Sequence, residues 1–119
     1  MRQRLLTACV ILAAAAAVLL PPSEARADRI DGHWCLKKPF KRLSIDGNNI
    51  ITPRGTPATG ENTHHGFTYT VPNNEPGAGS FVVMEQLSDD EILVRSGADR
   101  KSAEAAKPQS WGICPPNIS

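Results

Sequence analysis

The amino-acid sequence predicts an all-β fold: a small antiparallel barrel or sandwich of about six to seven short strands, with at most one short helix near the C-terminus. Short apolar stretches with period-two alternation recur along the chain, and clusters of proline, glycine and asparagine separate them. Helix-forming composition is confined to one stretch near the C-terminus. The chain of 119 residues is long enough for one domain and too short for two.

Residues 1–27 predict a cleaved signal peptide. Two arginines precede an uncharged apolar run over residues 5–20, and residues 25–27 have the small-x-small form that signal peptidase cleaves. The run is shorter than the roughly 20 residues that span a bilayer. We therefore expect a periplasmic or secreted protein with a single domain, residues 28–119, and no transmembrane span in the mature chain.

The mature chain is expected to be close to neutral. Residues 1–27 hold three of the 13 basic residues and one of the 12 acidic ones, so their removal changes the net charge from +1 to −1. Proteins that bind nucleic acids carry a strong basic excess. We therefore expect no nucleic-acid partner.

Cys35 and Cys114 are the two cysteines that follow residue 27. An even pair in an exported domain predicts a disulfide. The bond would close a loop of about 80 residues, which contributes roughly 4–5 kcal/mol on the chain-entropy model. It would also place the first and last strands side by side, and this favours closure into a barrel without exposed strand edges.

The N-terminal half of the domain predicts three strands. Residues 28–36 alternate between apolar and polar side chains and form the first. Residues 40–45 and 49–52 form a hairpin, because the glycine and asparagine within residues 46–48 supply the positive φ of a tight turn. Residues 53–66 contain two prolines and three glycines, and they predict a long loop.

The C-terminal half predicts, in order, a strand at 67–71, a loop at 72–80, a hairpin of strands 81–87 and 91–95, a helix within 98–107 and a last strand at 110–114. A barrel of this size fills its interior with side chains and leaves at most a shallow cup. The expected core consists of Trp34, Leu36, Phe40, Leu43, Ile45, Ile50, Phe67, Tyr69, Val71, Phe81, Val83, Leu87, Ile92, Val94 and Trp111.

Several short motifs follow one another in order: Gly32-His33-Trp34-Cys35, Leu43-Ser44-Ile45-Asp46-Gly47, Ile51-Thr52-Pro53, His65-Gly66-Phe67-Thr68-Tyr69 and Pro76-Gly77-Ala78-Gly79. Together with Trp111 and Cys114, this series resembles a group of small exported proteins of alphaproteobacteria to which no activity is assigned. The resemblance covers most of the mature chain, and it implies an exported location and a shared fold but no catalytic residues. The Gly-x-Trp of the first strand is also similar to the opening of lipocalin-like barrels.

Candidate binding residues lie on the two predicted loops, because rigid sheets commonly present binding groups on loops. The polar candidates are Arg54, His64, His65, Asn73, Asn74 and Glu75. In the alternative interpretation, both loops are tolerated connections without a ligand.

A second candidate is a basic cluster, in which Lys37, Lys38, Lys41 and Arg42 surround Phe40. Such a cluster could contact an anionic surface, such as phospholipid head groups or acidic polysaccharide. In the alternative interpretation, the charges face water and the phenyl ring turns into the core.

No metal and no cofactor are expected. His64 and His65 could ligate zinc or copper together with His33, but adjacent side chains point to opposite sides of an extended chain, and no HxH or HExxH spacing occurs. No serine lies in a GxSxG motif, and most of the acidic residues from Glu85 to Glu91 fall in a predicted turn.

We therefore expect a non-catalytic binding module of the cell envelope, whose unknown partner meets the two loops. The alternative is a small inhibitor of a periplasmic or host hydrolase, such as a protease or lysozyme, because the proline-flanked loop 72–80 is stiff enough to enter a cleft. A hydrolase is the third class considered.

Overall fold

The computed structural model describes residues 29–116. These residues contain nine strands and one short helix. The strands are β1 (Gly32–Leu36), β2 (Lys41–Asp46), β3 (Asn49–Ile51), β4 (Pro57–Thr59), β5 (Glu61–Asn62), β6 (Gly66–Thr70), β7 (Phe81–Ser88), β8 (Glu91–Gly97) and β9 (Gln109–Ile113). The helix α1 (Arg100–Ala105) lies between β8 and β9. The predicted signal peptide, residues 1–27, lies outside the described residues. In the described part, no helix has the length and apolar character needed to cross a bilayer.

The strands form one antiparallel sheet in the order β4-β3-β2-β1-β9-β8-β7-β6-β5. Because β1 pairs with both β2 and β9, the chain runs round a nearly closed barrel as an up-and-down meander. The two edge strands, β4 and β5, are consecutive in the chain and are separated only by Gly60. The first half of this stretch pairs with β3 and the second half with β6, so the covalent chain itself closes the barrel.

Gly60 permits this change of partner because it has no side chain. A Cβ atom at this position would collide with the Thr68 carbonyl oxygen and come within 2.7 Å of the Phe67 ring. The Gly60 N–H also donates to the Asn48 carbonyl at 2.8 Å, which extends the pairing with β3. The chain therefore passes close against β6 while it is still bonded on the β3 side.

The predicted long loop over residues 53–66 is wrong, since it contains β4, β5 and the first residue of β6. Proline and glycine favour loops in a sequence, but Pro57 is the first residue of a strand and Gly60 lies at a corner, where a sheet tolerates them. The strand number is consequently nine rather than six to seven. The 46–48 turn region, the loop at 72–80 and the helix near the C-terminus are confirmed.

The predicted disulfide is confirmed: Cys35 and Cys114 are bonded, with their Cα atoms 4.9 Å apart. The first and last strands lie side by side, and Cys35 pairs across the ladder with Gly112. The Cys114 N–H donates to the His33 carbonyl at 3.1 Å, which continues this pairing past the end of β9. The bond spans 79 residues of sequence, so it restricts most of the unfolded domain.

Inward-facing side chains of the strands fill the barrel, as expected for its size. The buried core consists of Ile30, Trp34, Leu43, Ile45, Ile50, Phe67, Tyr69, Val82, Met84, Ile92 and Trp111. Both indole groups are satisfied: Trp34 Nε1 donates to the Ile30 carbonyl at 2.8 Å, and Trp111 Nε1 donates to Gln109 Oε1 at 3.1 Å.

Strand β7 turns the opposite face inward from the one predicted. Val82 and Met84 are buried, whereas Phe81 and Val83 are only partly buried and Leu87 is 51% exposed. The strand begins with four consecutive apolar residues. Alternation could not distinguish its two faces for this reason.

Helix α1 covers the outward face of β7 and β8. It begins after Asp99, whose carboxylate accepts a hydrogen bond from a first-turn N–H at 2.9 Å. Ala103 is fully buried against Gly97 of β8, where a Cβ atom would lie 2.6 Å from the Ala103 nitrogen. The Arg100 guanidinium lies 4.8 Å from the ring centroid of Phe81 and so covers the phenyl group that β7 turns outward.

Replacing Gly60 with alanine is expected to lower the free energy of unfolding by about 2–4 kcal/mol, because the methyl group collides with the β6 backbone at the corner. Denaturant titration measured by tryptophan fluorescence tests this. Gly112→Ala is the matched control, since its added Cβ would meet nothing nearer than the Asp90 carbonyl at 3.7 Å. Equal losses in the two variants would contradict the role of the corner.

Candidate functional site

The two ends of the barrel differ in their connections, as the strand directions show. One end, which we call the loop end, carries the connections 37–40, 52–56, 71–80 and 98–108. The other, the turn end, carries the short connections 47–48, 63–65 and 89–90, together with residues 29–31. The long connections are therefore gathered on one side of the molecule.

The predicted ligand residues fall on both ends. Arg54, Asn73, Asn74 and Glu75 lie together at the loop end, whereas the adjacent histidines 64 and 65 lie at the turn end. Strands β4 and β5 run between Arg54 and the histidines and carry the chain from one end to the other. The candidates other than histidine therefore lie at the same end of the barrel, and the two histidines lie at the other end.

A buried hydrogen bond joins the two connections 52–56 and 71–80. Thr52 Oγ1 donates to Glu75 Oε2 at 2.5 Å, and the two residues are 1% and 9% exposed. The same hydroxyl oxygen accepts from the N–H groups of Arg54 at 3.3 Å and Thr56 at 3.1 Å. One hydroxyl group thus organises its own turn and fastens that turn to the neighbouring loop.

The 71–80 connection is a series of hydrogen-bonded turns. The Val71 N–H donates to the Ser80 carbonyl at 2.9 Å, and the Gly79 N–H donates to the Val71 carbonyl at 3.0 Å. Further backbone hydrogen bonds within the loop include Glu75 N–H to the Pro72 carbonyl at 3.1 Å. Its backbone is accordingly ordered before any partner binds.

Tyr69 lies on the inner face of β6 and is 6% exposed. Burial raises the pKa of its phenol from 10.0 to about 12, and the negative charge of Glu75 adds to the increase. The charge of Glu75 in the loop joint therefore acts on a phenol that stays neutral at ordinary pH.

The exposed side chains of Arg54, Asn73 and Asn74 form a surface that we call the loop platform. Asn74 Nδ2 lies 3.4 Å from Thr56 Oγ1, a second contact between the two connections. The ion pairs found within residues 29–116 do not involve Arg54. The guanidinium and the two amides are thus carried on connections that the Thr52–Glu75 and Asn74–Thr56 contacts join, and such groups can bind carboxylate, carbonyl or hydroxyl groups.

A hydrogen-bond network closes the turn end. The Asp31 carboxylate accepts from the Gly47 N–H at 2.8 Å and from Asn62 Nδ2 at 2.9 Å. Asn62 also donates to the Gly47 carbonyl at 2.7 Å, and its Oδ1 accepts from the His64 N–H at 2.8 Å. These groups tie the residues before β1 to two turns, so their arrangement serves the fold.

The histidines do not converge on one point. His64 has a φ of 82°, and its ring stands edge-to-face with that of His65 at a centroid distance of 5.1 Å. His33 Nδ1 lies 2.7 Å from Ser44 Oγ on the wall of β1 and β2. Across residues 29–116, no group of three or more His, Cys, Asp or Glu side chains is arranged to hold a metal ion.

The acidic residues considered for hydrolase chemistry make surface contacts. Glu85 forms an ion pair with Arg95 at 3.4 Å. Ser110 donates to Glu91 Oε2 at 2.6 Å, close to the start of β8. These carboxylates are engaged with neighbours on the outer wall.

The basic cluster lies at the loop end, but Phe40 is 58% exposed, so its expected place in the core is wrong. Leu36 pairs directly with Lys41, and residues 37–40 therefore turn beyond the rim of the barrel. Strand alternation gives the same result, because Leu43 faces inward and residue 40 falls on the opposite face.

Sequence reasoning placed Tyr69 correctly in the core but did not identify Thr52 or Tyr69 as residues of the candidate site. A threonine before a proline-containing turn commonly accepts hydrogen bonds from nearby N–H groups, and this signal identifies Thr52 as a turn organiser. Its bond to Glu75 bridges 23 residues of sequence and has no local signal.

Comparison with protein-family models, with curated proteins and with solved structures finds no match for this chain. The function proposed below therefore rests on the geometry of the loop end.

Replacing Thr52 with valine is expected to lower the free energy of unfolding by about 2–3 kcal/mol, because Glu75 would stay buried without its hydroxyl donor. Thr52→Ser is the matched control, which keeps the hydroxyl and should cost about 1 kcal/mol or less. Urea titration of both variants measures the difference. A serine variant as unstable as the valine variant would show that the hydroxyl is not what holds the loops.

Tyr69 is the single tyrosine of the chain, so tyrosinate absorbance reports it alone. We expect a midpoint near pH 12 in the folded protein, against 10.0 for an unburied tyrosine. Because folding raises this pKa, the contribution of Tyr69 to stability is complete below pH 10 and is lost as the pH rises toward 12. Glu75→Gln should lower the midpoint only in part, since burial is the larger cause. A folded-state midpoint near 10 would contradict the burial.

Proposed function

We propose that the protein is a non-catalytic binding module of the cell envelope and that it holds its partner with the loop platform. The observation that carries this proposal is the buried Thr52–Glu75 hydrogen bond, which makes one surface out of two connections. Functional groups are commonly carried on loops that a rigid scaffold positions.

Order in the loops before binding supports a recognition role. Within the 52–56 connection, the Thr52 N–H donates to the Thr56 carbonyl at 2.9 Å, and the Gly55 N–H donates to the Thr52 carbonyl at 2.8 Å. Together with the turns of the 71–80 connection, these bonds reduce the conformational entropy that binding would cost. The platform side chains are therefore presented on a backbone that needs little rearrangement.

The packing of the barrel favours a partner held on the outside. Trp34, Phe67 and Trp111 are each at most 3% exposed and occupy the interior. The loop platform is polar, so its partner should expose carbonyl, carboxylate or hydroxyl groups, as a protein loop or an envelope glycan does.

An exported location is part of the proposal. The Cys35–Cys114 disulfide supports it, because such bonds form and persist in oxidising compartments. The predicted signal peptide over residues 1–27 supports it independently. The periplasm or the cell exterior is therefore where we look for the partner.

The stiffness of the 71–80 connection also supports the second candidate, an inhibitor of a hydrolase. Pro72 and Pro76 lie within this hydrogen-bonded loop. A loop already fixed in its bound shape can fill an enzyme cleft at low entropic cost. The two candidates differ in whether the partner's catalytic activity falls on binding.

Site-specific photo-crosslinking in the host envelope tests the proposal. A photoreactive amino acid in place of Asn74 should give a discrete adduct, which mass spectrometry identifies as protein or glycan. The same group in place of Asp89, an exposed residue of the turn end, is the matched control and should give none.

Arg54→Ala combined with Asn73→Ala should reduce the Asn74 adduct at least tenfold, if the loop platform supplies about 1.5 kcal/mol or more of the binding free energy. The catalytic activity of lysozyme and of periplasmic proteases is then measured with and without the purified protein. A fall in activity identifies an inhibitor, and unchanged activity favours a binding module of another kind. Adducts of equal yield at positions 74 and 89, or none at either, would contradict the proposal.

A further inference from the structure

A groove on the outer wall begins next to the exposed ring of Phe40. It runs over the disulfide between β1 and β9, has a volume of about 630 Å³, and its apolar walls include Leu36, Phe40 and Ile113. Ile113 is itself 54% exposed. Lys37 and Lys38 line the same groove, so ammonium groups lie next to hydrocarbon.

A second groove lies on the other side of the same ring. It has a volume of about 480 Å³, and its walls include Phe40 and Ile51, which is 44% exposed. Lys41 and Arg42 contribute the positive charge here. We call Phe40 with Lys37, Lys38, Lys41 and Arg42 the basic–aromatic face.

The charge of the basic–aromatic face is not neutralised within the described chain. Neither groove has an acidic residue in its walls. The ion pairs found between residues 29 and 116 are Arg95 with Glu85 and Arg100 with Glu104, and they leave the four cations of the face in contact with solvent. A partner that covers this face should bring negative charge.

Charges are also unevenly distributed between the two ends of the barrel, although exposed Asp99 and Glu104 lie at the loop end and exposed Arg29 lies at the turn end. Exposed basic residues of the loop end include Lys37, Lys38, Lys41, Arg54, Lys101 and Lys107. Exposed or half-exposed acidic residues of the turn end include Asp31, Asp46, Asp89, Asp90 and Glu91. Such a polarity orients a nearly neutral protein in front of an anionic surface, with the loop end foremost.

We propose that the basic–aromatic face docks the protein on the surface of an anionic phospholipid bilayer. The Phe40 ring would enter the boundary between head groups and acyl chains, as aromatic side chains do at membrane interfaces. Lys37, Lys38, Lys41 and Arg42 would contact lipid phosphates around it. An acidic polysaccharide matches the charge but supplies no hydrocarbon for the apolar groove walls.

The docking does not depend on the proposed function, because pure lipid vesicles contain neither a protein nor a glycan partner. The test uses the protein isolated from its host, with Phe40 replaced by tryptophan. Vesicles of phosphatidylglycerol whose acyl chains carry bromine should quench the fluorescence of the new indole. Trp34 and Trp111 are 1% and 3% exposed and should contribute an unquenched background.

Matched variants distinguish the contribution of the Phe40 ring to membrane binding from the contribution of the basic side chains. Phe40→Ala should weaken partition into phosphatidylglycerol vesicles about tenfold, since the exposed phenyl area no longer leaves water. Leu87→Ala is the control, because Leu87 is similarly exposed, at 51%, but lies near the turn end. Each replacement of Lys37 or Lys38 by glutamine should weaken partition about fivefold, because it removes the attraction of one lysine to the anionic surface.

Vesicles of phosphatidylcholine should quench little, and salt should weaken binding to phosphatidylglycerol. Absence of quenching in anionic vesicles would overturn the proposal, as would equal effects of Phe40→Ala and Leu87→Ala. Binding to polyglutamate in solution, with no binding to vesicles, would assign the face to an acidic polypeptide and overturn it as well. None of these results would alter the crosslinking outcome at Asn74.

Discussion

The whole molecule depends on the way a single stretch of chain serves both edges of its sheet. An open sheet leaves rows of unpaired N–H and C=O groups at its two edges, and these invite pairing with other chains. Here β4 and β5 are one stretch interrupted by Gly60, bonded to β3 on one side and to β6 on the other. The opposite seam, between β1 and β9, is held by backbone bonds and by the Cys35–Cys114 disulfide. Two local features therefore close the barrel. One is the corner at Gly60, which is possible because this residue has no side chain, and the other is the disulfide between Cys35 and Cys114.

In an up-and-down meander, successive connections lie at alternate ends of the barrel. Every second connection therefore lies at the same end, and this brings together side chains that are far apart in the sequence. The connections 37–40, 52–56 and 71–80 all emerge at one end, although they are far apart in the chain. The Thr52–Glu75 bond then turns two of them into a common surface, and the third carries the exposed aromatic ring with its lysines. At the other end, the connection 89–90 consists of two aspartates, and Asp31, Asp46 and Glu91 lie nearby in the fold. Recognition of polar groups and attraction to an anionic surface would thus act on the same side of the barrel.

Features encoded by neighbouring residues could be predicted from the sequence, and features that depend on distant packing could not. The alternation of β6 and the cysteine pair led directly to a strand and to adjoining terminal strands, both of which are present. The sequence around Gly60 predicts a loop because proline and glycine disfavour strands locally, whereas the stability of this corner comes from β3 and β6 on either side. The predicted inward face of β7 is wrong because four apolar residues in a row carry no alternation. For the candidate site, Arg54, Asn73, Asn74 and Glu75 could be chosen from loop composition, but the bond that unites them spans 23 residues.

The position of Pro115 has a practical consequence for anything attached to this protein. Pro115 follows Cys114 and forms part of the wall of the groove beside Phe40, whereas Ile30 and Asp31 are bonded to the connections 63–65 and 47–48 of the turn end. The two ends of the described chain are therefore not equivalent as attachment points. A bulky fluorophore or tether attached at Pro115 would lie in the wall of this groove and compete for the surroundings of the aromatic ring. The same group attached at Arg29, which is exposed, would lie at the turn end and leave the long connections clear.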